Sequence, residues 1–275
     1  MNKIYICLLF LLPPLVLWGQ EDICIGKKYS LHSTVLQEER AYWVHLPDNY
    51  ATNVTQTFPV IYLLDGDLFF HSLVGINRAF SSGRRKDIPS FIIVGIISTD
   101  RTRDFTPTAS AAGRDGKIPP GAVPKGGGSD TFSRFLTEEL RGVIDGSFRT
   151  NGQNMLVGHS FGGLFTLNTF FKHTELFDTY LALDPSLWWD QRRLSKEAGI
   201  LVKDKDFEGK SLYVGVATKP RPDRATMNLT DSDSLFAEIL PQTKGLRFFK
   251  KSFPDETHGT IAIPGILDGF RQLFW

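Results

Sequence analysis

Short apolar runs alternate with longer stretches of helical spacing along most of the chain, the pattern of an α/β fold. Residues 40–46 alternate by twos and stop at Pro47-Asp48-Asn49-Tyr50, which predicts a half-exposed early strand. Residues 58–64, 91–97, 155–157, 180–183 and 212–216 are instead nearly continuous apolar runs. Strands covered on both faces read this way. An apolar-patterned strand is expected over 246–253. Between the strands, the cap pair Ser129-Asp130 opens a helical pattern through Phe132, Phe135, Leu136, Leu140 and Ile144. Further helices are expected over 161–171 and 266–274. The Gly/Pro-rich residues 106–128 read as a surface loop near the site.

The amino terminus has another pattern. Lys3 precedes an uncharged run over 4–17, and Gly19 lies just before Gln20-Glu21-Asp22. That run falls short of the roughly 20 residues a spanning helix needs. Residues 1–20 are therefore expected to be a signal peptide, or an anchor left uncleaved, before a single domain over 21–275 in a secreted or periplasmic protein. Cys7 falls within this segment and leaves Cys24 alone, so stability must come from the core. Composition supports such a core, with 22 Phe and five Trp among 275 residues. The charge is nearly balanced, 31 Lys+Arg against 30 Asp+Glu, which argues against steering toward nucleic acid or an acidic membrane. No Cys/His cluster has zinc-ligand spacing and no phosphate loop follows a strand, so metal and nucleotide cofactors are not indicated.

The chemical signal is Gly158-His159-Ser160-Phe161-Gly162, followed by Gly163, between the strand at 155–157 and the helix from 161. Strand, motif and helix together describe a nucleophile elbow. The flanking glycines are expected because a Cβ at either place would collide with the neighbouring strand or helix. Ser160 is the predicted nucleophile. A serine needs a general base, and on an elbow fold the base comes last in the order Ser, acid, His. His258, in Asp255-Glu256-Thr257-His258-Gly259 after the strand at 246–253, has that place. His173 reads as a helix C-terminal cap, and His159 should project away from the nucleophile. The orienting acid should follow the strand at 212–216, where Asp223, Asp231 and Asp233 compete. Asp223 is preferred because Asp231 and Asp233 read as N-caps of the next helix. Asp255 and Glu256 stand in reserve, and a dyad without an acid is the remaining alternative. The oxyanion needs two N–H donors. Phe161 supplies one and Asp67, in the glycine-containing loop Leu63-Leu64-Asp65-Gly66-Asp67, is assigned as the other; a plain strand-to-helix turn capped by Asp65 is the simpler reading of that loop.

Leu46-Pro47-Asp48-Asn49-Tyr50, Tyr62-Leu63-Leu64-Asp65-Gly66, the elbow through Gly163, and His258-Gly259 together resemble the putative-esterase branch of the α/β-hydrolases. That branch includes esterase D, the mycolyltransferase antigens, feruloyl esterases and the siderophore esterases. The likeness spans residue 42 to the end. Asp100-Arg101-Thr102-Arg103-Asp104-Phe105-Thr106-Pro107-Thr108 and Asp184-Pro185-Ser186-Leu187-Trp188-Trp189-Asp190 are similar to the siderophore-esterase subgroup in particular. The resemblance implies an α/β-hydrolase fold with a mostly parallel central sheet flanked by helices. It implies a serine carboxylic-ester hydrolase working through an acyl-enzyme, with no cofactor, on a small-molecule or glycan ester. A siderophore trilactone is the substrate the subgroup implies. A feruloyl or acetyl polysaccharide esterase, and a hydrolase-like binding protein without turnover, are the alternatives. The chain departs from the family pattern at Lys219-Pro220-Arg221-Pro222, where a short polar turn is expected before the acid. Arg101 and Arg103 are candidates to meet an anionic substrate, or else brace a loop through Asp100 and Asp104. Trp188 and Trp189 are candidates for a cleft wall, or else core.

Overall fold

A computed structural model describes residues 21–82, 88–203, 205–220 and 234–275. In chain order the strands are β1 (Lys27–Ser33), β2 (Glu38–His45), β3 (Phe58–Leu63), β4 (Ile92–Ile96), the two-residue β5 (Ala109–Ser110) and β6 (Lys125–Gly126), β7 (Thr150–His159), β8 (Thr179–Leu183), β9 (Ser211–Ala217) and β10 (Arg247–Phe253). Eight of them form one sheet in the order β1-β2-β4-β3-β7-β8-β9-β10. β1 pairs antiparallel with β2, β2 antiparallel with β4, and every later pair is parallel.

The continuous apolar runs are buried on both faces because helices cover both. Phe58, Val60, Tyr62 and Leu64 point to one cluster while Ile61 and Leu63 point to the other. On the second side lie α1 (Gly66–Ser81) and α7 (Ala262–Phe274), which contribute Phe70, Leu73, Val74, Ile266, Phe270 and Leu273. The first side is covered by α3 (Ser129–Arg134), α4 (Arg141–Ser147), α5 (Phe161–Lys172) and α6 (Trp189–Leu201), together with the π-helical segment Phe135–Leu140 that joins α3 to α4. The short α2 (Arg101–Phe105) packs on that side through Phe105, against Phe132 and Phe165.

Several boundaries differ from the pattern. β1 is an edge strand with most of its side chains exposed, so its apolar alternation is weak. β7 starts at Thr150, ahead of the apolar run, because Thr150 already pairs with Phe58 of β3, and the exposed residues 151–153 form an irregularity before regular pairing resumes at Asn154. α3 is capped by the backbone of Gly128; Ser129, expected at the cap, is the first helical residue, and its hydroxyl accepts a hydrogen bond from Asn168 at 3.1 Å. α7 begins four residues before position 266 and carries Pro264 in its first turn, where no intrahelical N–H is lost. No helix among the described residues is long and apolar enough to cross a membrane.

One buried charge cluster ties β2 to the segment carrying α2. Arg40 has no exposed side-chain surface, and its guanidinium donates to Asp104 at 2.8 Å, to Glu38 at 2.9 Å and to Thr99. Arg103 donates to Asp104 at 2.7 Å and to both oxygens of Glu38 at 2.6 and 3.0 Å. A fully buried guanidinium is costly unless carboxylates surround it, and here two do. The Arg103 hydrogen bonds, with those of Arg40 and Thr99, outweigh burial and hold the Glu38 pKa down at about 2, against an ordinary 4.5. Because the folded value is the lower one, this contribution to stability is complete above about pH 4.5 and is lost as pH falls toward 2. Urea midpoints measured across that window should fall more steeply for the wild type than for Glu38→Gln. Parallel curves would show that the cluster does not supply the acid sensitivity.

Candidate active site

Ser160 sits between the last residue of β7 and the first of α5 with φ 62° and ψ −117°. A non-glycine residue held there costs on the order of 1–3 kcal/mol and persists only where its surroundings impose it. They do so through the backbone. Its N–H donates to the Leu183 carbonyl at 2.9 Å, and its carbonyl accepts from Leu164 at 2.9 Å and from Ser186 at 3.1 Å. Crowding explains two of the motif's three glycines. A Cβ on Gly158 would lie 2.2 Å from the Gly162 carbonyl oxygen and 2.7 Å from Thr166 Oγ1, and one on Gly163 would lie 2.9 Å from the Leu183 carbonyl oxygen. Gly162 departs from expectation, since a Cβ there would meet nothing closer than 3.5 Å. The strand-to-helix collision falls on Gly158, and Gly163 takes the close approach to the end of β8.

The chain brings His258 to this serine from 98 positions away, with His258 Nε2 2.9 Å from Ser160 Oγ. On the other side of the ring, Nδ1 lies 2.6 Å from Asp184 Oδ2. A carboxylate can only accept, so Nδ1 carries the proton and Nε2 offers its lone pair to the serine hydroxyl. Asp223, preferred from sequence as the orienting acid, lies outside the described residues, as do Asp231 and Asp233. The carboxylate in contact with His258 is Asp184, at the end of β8. Asp184 has φ 39°, its N–H donates to the Gly215 carbonyl at 2.7 Å, and its Oδ1 accepts from the Ala217 N–H at 3.1 Å. Asp255 is exposed, and Glu256 meets the framework through its backbone carbonyl, which accepts from Lys219. The available signal for Asp184 was its place directly after an apolar strand, beside the elbow strand in the sheet. Two more groups adjoin the serine and the imidazole. Ser186, with 2% of its surface exposed, has its Oγ 3.3 Å from Ser160 Oγ. His159, expected to project away from the nucleophile, reaches His258 instead, its Nε2 2.8 Å from the His258 carbonyl oxygen.

For an oxyanion, Phe161 opens α5 and Asp67 lies in the first turn of α1, where N–H groups have no acceptor within the helix. Asp65 precedes α1 with φ 54°, but its side chain does not cap the helix as the simple reading would have it. That carboxylate is buried and accepts from Ser98 at 2.8 Å and from Arg101 at 2.7 and 3.0 Å. Gly66 allows the loop to press on β4, for a Cβ there would lie 2.6 Å from the Gly95 carbonyl carbon.

Arg101 is thus bound to Asp65 and not to Asp100, while 38% of its side chain stays exposed; its guanidinium lies 5.9 Å from the centre of the Phe161 ring. Arg103, the other candidate to meet substrate, braces the cluster with Glu38 and Asp104 while part of its side chain stays exposed. Trp189 is nearly buried and donates its indole N–H to the Thr108 carbonyl at 3.0 Å, which anchors the Gly/Pro-rich loop. Trp188 is partly exposed, its ring 5.7 Å from Phe161 and 5.0 Å from the Arg114 guanidinium carbon. The two tryptophans therefore differ in kind, Trp189 an anchor and Trp188 a wall beside the residue that follows the serine.

Residues 33–238 match the family model described as "Putative esterase". Among curated proteins the chain is 26% identical over 248 residues to the siderophore enterobactin esterase of Emericella nidulans, covering 78% of this chain and 81% of that one. It is 33% identical over 174 residues to the ferri-bacillibactin esterase BesA of Bacillus subtilis, covering 58% of each. Among solved structures, the IroE-like serine hydrolase from Shewanella oneidensis superposes with a TM-score of 0.81 at 36% identity, over 90% of this chain and 80% of that one. With its α/β-hydrolase sheet and a serine, an imidazole and a carboxylate in hydrogen-bonded series, the chain belongs to the "Putative esterase" family and is a carboxylic-ester hydrolase.

Proposed function

We propose that Ser160, His258 and Asp184 form the catalytic triad of a serine esterase that cleaves siderophore esters. The observation that carries the mechanism is the continuous contact from Ser160 Oγ to His258 Nε2 and from His258 Nδ1 to Asp184, on a serine already held in a strained turn. Ser160 Oγ attacks the ester carbonyl carbon as its proton passes to His258 Nε2, and the resulting imidazolium is stabilised by Asp184. The N–H groups of Phe161 and Asp67 face the developing oxyanion. Collapse of the tetrahedral species expels the alcohol, which takes the proton from Nε2, and leaves an acyl group on Ser160. Water, deprotonated by the same imidazole, then releases the acid and restores the serine.

The substrate reading rests on two supports. The relatives named above are esterases of enterobactin and of ferri-bacillibactin. Beside Ser160, the Phe161 and Trp188 rings and the Arg101 and Arg114 guanidiniums supply flat apolar faces and positive charge, which suit an aromatic, anionic acyl or alcohol group. The leader-like pattern of residues 1–20 supports action outside the cytoplasm.

A fluorophosphonate probe should label the wild type on Ser160, and Ser160→Ala should take no label and turn over no p-nitrophenyl ester while keeping its unfolding midpoint. An unlabelled wild type without esterase activity would instead make this a binding protein. Asp184→Asn should lower kcat by roughly 10⁴-fold with the fold intact, whereas Asp223→Asn should stay within about twofold of wild type. The reverse ranking would return the role to the segment after β9. In a panel of ferric and iron-free trilactone siderophores against feruloylated and acetylated xylan fragments, kcat/KM should favour a siderophore by at least about tenfold. A preference for xylan would make the enzyme a polysaccharide esterase.

A further inference from the structure

His258 is gripped at its ring by Ser160 and Asp184, and a third contact falls on its backbone. His159 Nε2 lies 2.8 Å from the His258 carbonyl oxygen. A carbonyl accepts, so His159 Nε2 is protonated and donates. The two imidazole rings lie against one another with centroids 4.8 Å apart and planes tilted by 37°. The edge of Phe69, from α1, packs on His159 at 5.7 Å. Two consecutive residues of the elbow therefore hold the same histidine. Ser160 meets Nε2 of the ring, and His159 meets the peptide carrying that ring.

The base-bearing turn needs such a hold. Asp255, Gly259 and Thr260 are exposed, and the turn is closed by local bonds, from Thr257 N–H to Thr260 Oγ1 and from Ile261 N–H to the Thr257 carbonyl. Glu256 ties it to the framework, accepting from the Lys219 N–H at 3.1 Å and donating to the Phe253 carbonyl at the end of β10 at 3.2 Å. The local bonds run across His258 without engaging its carbonyl, so a shift of the turn as a unit would carry the imidazole away from Ser160 and leave them intact. His159 is rooted at the end of β7, a central strand of the sheet, and its bond to the His258 carbonyl opposes that shift.

We propose that His159 is a positioning residue for the esterase reaction: by donating to the His258 carbonyl, it fixes the place of the His258 imidazole relative to Ser160. This inference rests on the triad reading above. The charge state suits the role. Burial, reinforced by the neighbouring His258, pushes the His159 pKa down to about 4, although Asp184 and Asp65 and the bond to His258 pull the other way. His159 is therefore neutral at neutral pH. A neutral ring still donates from Nε2, and it adds no positive charge beside His258 as that ring becomes an imidazolium. A lysine or arginine at this position could donate as well but would oppose the imidazolium.

The test compares His159→Leu, which removes the donor, with His159→Gln, whose amide nitrogen has a reach near that of Nε2. The probe is a p-nitrophenyl ester, with unfolding midpoints recorded for each variant. Expected is a fall of at least about tenfold in kcat for His159→Leu, with KM within about twofold of wild type, and recovery to within about threefold for His159→Gln. If His159→Leu fails to fold, His159→Asn replaces it, since its amide is one methylene too short to reach and it should lose kcat as the leucine variant would. Wild-type kcat in His159→Leu or His159→Asn, or equal losses in the donor-bearing and donor-lacking variants, would overturn the proposal. Wild-type protein and Ser160→Ala serve as references. Equal turnover by those two would sink the triad reading itself, and the positioning role with it, whereas failure of the His159 series beside an active, Ser160-dependent wild type would sink only the positioning role.

Discussion

The structure depends on a backbone forced through one sharp turn. Ser160 adopts φ 62° because β7 ends and α5 begins within a single residue, with the Gly158 Cα so close to the Gly162 carbonyl that no side chain fits between them. Removing the strain would require the strand and helix to separate, and both are packed. α5 is buried on nearly every face, and β7 lies between β3 and β8 in the sheet. The rigidity of that pair holds the hydroxyl at a fixed place, which is the condition for a nucleophile that does not have to reorganise when it reacts.

Groups around the serine come from different strand ends and meet through directed bonds. Asp184, just past β8, is held by backbone groups of β9 at both its N–H and its Oδ1, so one carboxylate oxygen belongs to the framework and the other to His258. Asp65, just past β3, is held in the same way by Ser98 and Arg101. In each case a carboxylate withdrawn from solvent, Asp65 fully and Asp184 largely, is kept in place by donors fixed elsewhere, which makes its desolvation tolerable. His159 adds the same logic to the backbone of the base-bearing turn.

Arginine has two uses here. Arg40, fully buried, and Arg103, partly exposed, sit in a carboxylate cluster that ties β2 to α2. One helical position pair away, Arg101 holds the loop before α1 yet keeps part of its guanidinium exposed beside Phe161. Arg101 and Arg103 stand in one Asp-Arg-Thr-Arg-Asp run and both brace a carboxylate, Asp65 or Glu38 with Asp104, but it is Arg101 whose guanidinium lies beside the Phe161 ring.

The chain itself determined the layering, the elbow and the base. Two-sided burial leaves continuous apolar runs that can be read residue by residue, and the turn at Ser160 itself demands glycine at Gly158, whereas the need for Gly163 comes from the end of β8 packed against it. His258 was legible because chain order on this fold restricts the base to a late position. The acid was not, because Asp184 depends on a left-handed residue at a strand end meeting a ring 74 positions later. Local composition carries no trace of that pairing, and Asp223 had the better local argument. The same reason hid the salt-bridge partners of Arg101 and the contact of His159 with the His258 carbonyl. Hydrophobic periodicity and backbone strain are properties of neighbours in sequence, whereas the direction of a polar side chain is settled only when distant strand ends are brought together.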